Sequence, residues 1–106
     1  MKELRGPGHP YTLLYEGNLA FLLVGEKRYE DALELLDGHI ERCRATLGDA
    51  HDQTIGAVTL HAQALQRSGD APAARALLER FLEEASLPEG SKAAKHLQAG
   101  LRKLGG

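Results

Sequence analysis

Slid along itself by forty-two residues, the chain meets its own pattern. Gly6, Gly48 and Gly90 coincide, as do His9 with His51, Thr12 with Thr54, Leu13 with Ile55, Ala20 with Ala62, and Leu23 with Leu65. The agreement continues through Ala32 with Ala74, Leu35-Leu36 with Leu77-Leu78, Ile40 with Leu82, and Glu41 with Glu83. A single offset held over that length marks an internal repeat, which constrains the fold more than any other feature of the sequence. Residues 6–47 form one unit, 48–89 a second, and 90–104 begin a third that stops after one helix.

Within each unit the apolar spacing is helical. Leu13, Ala20 and Leu23, then Ala32, Leu35, Leu36 and Ile40, recur at intervals of three, four and seven. Leu65 with Leu77, Leu78, Phe81 and Leu82 repeats the pattern. Each unit therefore reads as a helix pair, broken at "GEKR" (25–28) and "SGDAP" (68–72), with Asp70 as a cap and Pro72 in the first turn of the next helix. Pro10 opens the first helix in the same way. Ser91 is the expected N-cap of a last helix whose apolar stripe is Ala94, Leu97, Leu101 and Leu104. Lys92, Lys95, Arg102 and Lys103 lie on its other side, the profile of a helix that closes a stack. Ala20, Ala32, Ala62 and Ala74 are small enough for paired helices to approach closely.

Composition agrees with this reading. Two Phe, three Tyr and no Trp leave Leu and Ala to build the interior, which favours helices over sheet. The formal net charge is −2. Residues 6–89 carry seven basic against fourteen acidic side chains, whereas residues 90–106 carry four basic and no acidic ones. A basic last helix beside an acidic body is expected to help fix its own register. Four positive groups on one short helix, with that body opposing approach, argue against a nucleic-acid partner. The longest apolar run, Leu19 to Val24, is too short to span a membrane, and the first residues lack the apolar core of a signal peptide. With Cys43 the only cysteine, no intrachain disulfide can form, and a cytoplasmic location is expected.

At these residues the chain resembles the tetratricopeptide repeat, in the forty-two-residue variety of kinesin light chains and many bacterial signalling proteins. "NLAFLLVGEKRYEDALEL" meets the family's helix-pair pattern with Asn18, Leu19, Ala20, Leu23, Tyr29 and Ala32. "LGDAHDQT" at 47–54 and, in part, "RGPGHPYT" at 5–12 meet its linker pattern. Lys27 departs from it, standing where the family prefers Gly. The resemblance implies an all-α fold, a right-handed α-solenoid of two helix-turn-helix units plus a C-terminal capping helix, five helices in all. It also implies a scaffold that holds a peptide or a partner's helix on its concave face. Carried onto this sequence, the concave positions are Leu14, Asn18, Phe21 and Val24 in the first unit and Leu60, Gln63 and Arg67 in the second.

Other chemistries find little support in the residues. "GPGHP" lacks the strand before it and the Lys-Ser/Thr after it that a phosphate loop needs, and there is no nucleophile elbow. Glu83 and Glu84 are neighbours pointing to different helix faces. His39 and Cys43 sit four apart on one helix, but two ligands are not a metal site. The expectation is a non-enzyme without cofactor or metal. A structural alternative remains. "MKELRGPG" is short and lacks an apolar stripe, so the first unit's outer side is expected to need a cover. Either a preceding domain, if this is a fragment of a longer signalling protein, or a second copy in a homodimer would supply it.

Overall fold

A computed structural model describes residues 10–85, 87 and 90–105, of which the side chains of Pro10, Leu104 and Gly105 are excepted. Six helices follow one another: α1 (Pro10–Gly25), α2 (Tyr29–Leu36), α3 (His39–Leu47), α4 (Asp52–Arg67), α5 (Ala71–Glu84) and α6 (Lys92–Gly105). No strand occurs among the described residues. The repeat is visible in the bounds themselves. Both ends of α1 recur forty-two residues later as the ends of α4, and the start of α2 recurs as the start of α5.

The turns repeat as well. After α1, Arg28 N–H donates to the Leu23 carbonyl (2.8 Å) and Lys27 N–H to that of Val24 (3.0 Å). After α4, Asp70 donates to Leu65 (2.8 Å) and Gly69 to Gln66 (3.1 Å). Both are Schellman closures, which place one residue in the left-handed region. In the second unit that residue is Gly69, at φ 103°; in the first it is Lys27, at φ 65°. A side chain there costs roughly 1–2 kcal/mol that glycine avoids, partly offset by glycine's greater freedom in the unfolded chain. Lys27→Gly is accordingly expected to stabilise the protein by about 0.5–1 kcal/mol, read as a higher urea midpoint with an unchanged slope.

The linker that recurs in the sequence has a structural reason in the second unit. His51 caps α4, its Nδ1 accepting from Gln53 N–H at 3.0 Å. Thr54, fully buried, donates its hydroxyl to the Gly48 carbonyl at 2.8 Å and so ties the start of α4 to the end of α3. Gly48 itself sits at φ 101°. Arg44 reinforces the junction, bonding Asp49 at 2.7 Å and lying 5.4 Å from the Phe81 ring centroid. His9, the first-unit counterpart of His51, lies outside the described residues. Asp70 caps α5 through Ala73 N–H (3.2 Å) and Ser91 caps α6 through Ala94 N–H (3.1 Å), both as expected.

One element differs from the expectation. The second helix of the first unit is not continuous, so the described residues form six helices where five were expected. Asp37 turns extended (ψ 119°) and Gly38 takes φ 82°, ending α2 and starting α3 afresh. The equivalent residues of the second unit, Glu79 and Arg80, are good helix formers inside an unbroken α5. The inward register survives the break: His39, the first residue of α3, is 2% exposed, and its second-unit counterpart Phe81, inside the unbroken α5, is 4% exposed.

Two clusters make the interior. Ala20, Val24, Ala32, Leu36, Leu60 and Ala64 join α1 and α2 to α4. Leu13, Ile40 and Cys43 meet Ile55, Val58, Leu78, Phe81 and Leu97 in a second cluster that runs on to α6. Ala20, Ala32 and Ala74 are fully buried and Ala62 nearly so, which fits the close approach anticipated for the paired helices. No described helix is long and apolar enough to cross a membrane.

Candidate functional site

Helices α1 and α4, sixteen residues each, present equivalent faces to one groove of about 370 Å³. Leu14 and Gly56, Gly17 and Thr59, Asn18 and Leu60, and Phe21 and Gln63 are four pairs of residues forty-two apart. Both members of every pair line this groove. The repeat that builds the fold therefore also builds the groove, because the same angular position on successive first helices opens to the same side.

Five of the seven expected concave residues meet here: Leu14, Asn18, Phe21, Leu60 and Gln63. Phe21 is 67% exposed and Leu14 46%, an unusual placement for two large apolar groups that the interior does not use. Leu60 is mostly committed to the core and offers only its edge. Arg67 lies on an adjoining cavity of about 310 Å³ toward α6, continuous with the first through Thr59, Gln63 and His96. Val24 is a correction. It is 3% exposed and packs with Ala20, Ala32 and Leu36 beneath α2, so it takes no part in the groove. The concave assignment carried it one turn past Phe21, yet three residues rotate the side chain about 60° off that face, far enough here to bury it.

Gln53, Gly56, Thr59 and His96 are groove residues the sequence reading missed. Gly56 was within reach, since the offset of forty-two maps Leu14 onto it; Thr59 was not, because its counterpart Gly17 is not among the expected concave positions. His96 was not, because its position depends on the tilt of α6 against α4. Gly17 and Gly56 keep the floor low; a Cβ at Gly17 would stand 3.8 Å from the His39 ring nitrogen Nε2.

Beneath that floor lies a polar cluster. Glu16 Oε1 accepts from Arg42 Nη2 at 3.0 Å and lies 2.8 Å from His39 Nδ1, which donates to it. On the other side of the ring, Cys43 Sγ is 3.5 Å from Nε2. Thiol, imidazole and carboxylate in that order invite a nucleophile reading, but two observations oppose it. Cys43 is 1% exposed, and burial, then the Glu16 charge, pushes its thiol pKa up despite the opposing Arg42, the reverse of what a nucleophile needs. The cluster thus holds α1 to α3. Among the described residues no group of three His, Cys, Asp or Glu side chains is arranged to hold a metal ion.

On another face, a smaller cavity of about 190 Å³ opens beside the α2–α3 break, between it and α5. His61 lines it, its Nδ1 buried with no hydrogen-bond partner among the described residues. Burial pushes the imidazole pKa below its ordinary 6.5, the Asp37 charge countering only in part. A histidine that binds its proton less readily folded than unfolded makes stability fall as pH drops below about 6.5, the loss growing until the folded form titrates too. Equilibrium unfolding at about pH 7.5 and about pH 5 is expected to show this loss, and His61→Leu is expected to reduce it. An unchanged pH slope in that variant would refute the assignment.

A family model described as the tetratricopeptide repeat matches residues 11–83, which take in α1 to α5 almost entirely. Comparison with curated proteins and with solved structures returns no match.

Proposed function

From the premise that this chain belongs to the tetratricopeptide repeat family, we propose that it is a scaffold holding a peptide or a partner's helix in the α1–α4 groove. Repeats of this family generally mediate protein–protein interaction and are typically non-enzymatic. The observation that carries the reading is the gathering of Leu14, Asn18 and Phe21 opposite Gln63 along one open groove. Asn18 can both donate to and accept from a ligand's backbone, while Phe21 and Leu14 offer apolar contact for a side chain. Toward α6 the groove turns basic, with Arg67 and Lys103 lining its continuation. A ligand with an apolar side chain at one end and an acidic group at the other matches that gradient.

We further place the chain in the forty-two-residue, kinesin-light-chain-like variety, on the strength of the repeat offset, with the right-handed superhelix that variety implies. A cytoplasmic location belongs to the same proposal, and the free thiol of Cys43 fits a reducing compartment.

The test is selection of ligands from a random peptide library, followed by titration of the winners into parent and variants. Asn18→Ala and Phe21→Ala are each expected to weaken binding roughly tenfold or more with no loss of helical content. Arg67→Glu is expected to weaken acidic peptides selectively. Winners that bind both α1 variants as tightly as the parent would remove the groove from consideration.

A further inference from the structure

Helix α1 is apolar around nearly its whole circumference, yet only one side of it is buried. Tyr11, Leu14, Tyr15, Asn18, Phe21 and Leu22 form a stripe on the other, centred on Asn18, with Tyr11, Tyr15 and Phe21 each about two-thirds exposed. The sole charged residue of the helix, Glu16, faces inward to His39 and Arg42. At the positions of α4 equivalent to Tyr15, Asn18 and Leu22 stand Ala57, Leu60 and Ala64, all buried, and Leu60 and Ala64 pack directly into the first unit's cluster. The stripe is therefore the face by which one unit receives another. On α1, however, two of the small residues that permit such stacking are replaced by bulky ones, so a further unit of the same kind would not seat there as unit one seats on α4.

We propose that a second copy of this chain covers the stripe, the two α1 helices pairing antiparallel about a twofold axis through Asn18. The residues are self-complementary under that operation. Tyr15 meets Phe21 of the other copy, Leu14 meets Leu22, Tyr11 meets Gly25, and every opposed pair off the axis is uncharged. On the axis, Asn18 faces itself, and a carboxamide can donate to and accept from its twin, which fixes the register. The area suffices. With roughly 150–250 Å² per aromatic side chain, the three exposed rings alone offer on the order of 300–500 Å². Leu14, Leu22 and the flanking surface carry the patch toward the ~800 Å² per partner of a standard interface.

The dimer would cover Leu14, Asn18 and Phe21, so ligand and second copy compete for one wall of the groove. That corollary alone rests on the groove reading above.

Sedimentation and light scattering across about 1 µM to 1 mM test the proposal directly. The parent is expected to pass from 11.5 kDa to twice that mass. Tyr15→Asp and Leu22→Asp, at exposed positions outside the groove lining, are expected to raise the dissociation constant at least about tenfold while keeping parental helicity and, at concentrations low enough for the parent to be monomeric, the parental melting temperature. Geometry is read by oxidative crosslinking, with buried Cys43 left in place. Asn18→Cys is expected to form a disulfide-linked dimer. Tyr11→Cys is not, since antiparallel pairing separates the two copies of that position by about 21 Å along the axis. A parent that stays at 11.5 kDa throughout overturns the proposal, as does equally efficient crosslinking by both variants. Because mass is measured without any ligand, this failure is distinct from failure of the groove.

Discussion

Leu97→Ala is expected to destabilise the protein by about 3 kcal/mol, within the 2–5 kcal/mol observed when a buried leucine is cut to alanine. Leu97 is 1% exposed and closes the cluster that Leu78, Phe81 and Ile55 share. Helix α6 rests against α5 closely enough that a Cβ on Gly100 would lie 3.6 Å from a Leu78 methyl. In a stack of units each helix pair is stable only when its apolar side is covered, so weakening the last helix acts on the whole second unit. Against the 5–15 kcal/mol typical of a domain, a loss of about 3 kcal/mol is a large fraction. Chemical unfolding followed by circular dichroism measures it. Leu97→Met keeps the volume and is expected to cost less than about 1.5 kcal/mol. A Leu97→Ala midpoint equal to the parent's would show that α6 is not the cover its packing indicates.

How far the sequence foretells the fold depends on which residues carry the information. The repeat offset placed α1 and α4, the two Schellman turns and the start of α5, because those depend on local pattern and on small residues at fixed positions. Asp70 and Ser91 were legible as caps for the same reason. The interruption at Asp37-Gly38 was not foreseen. Glycine in a helical pattern is ordinarily tolerated at about 1 kcal/mol, and only tertiary context decides whether the chain breaks there. Asn18, Leu14, Phe21 and Gln63 came together because the family pattern encodes an angular position. Val24 failed because a pattern one turn long does not fix which edge of a helix is covered. The contact of Glu16 with His39 and Arg42, twenty-three and twenty-six residues away, exists only once α3 packs against α1, so no spacing announces it.

That contact governs the second large effect. Glu16→Ala is expected to cost about 2–3 kcal/mol, more than a typical hydrogen-bond deletion, because one carboxylate serves two donors. Arg42 is partly exposed and can turn to water, although its Nε is already buried without a hydrogen-bond partner among the described residues. His39 has no such recourse. Its ring is buried and held in place by the start of α3, so Nδ1–H would be left unsatisfied inside the protein. The series Glu16→Ala, Glu16→Gln and Glu16→Leu with His39→Leu separates the contributions in urea unfolding. Glutamine retains an acceptor for Nδ1 and is expected to lose only about 1 kcal/mol. The double apolar variant removes donor and acceptor together and is expected to recover much of the loss, since the penalty lies in the stranded group rather than in the bond itself. Equal losses for alanine and glutamine would mean that the charge on Glu16, and its attraction for Arg42, matters more than the hydrogen bond to His39.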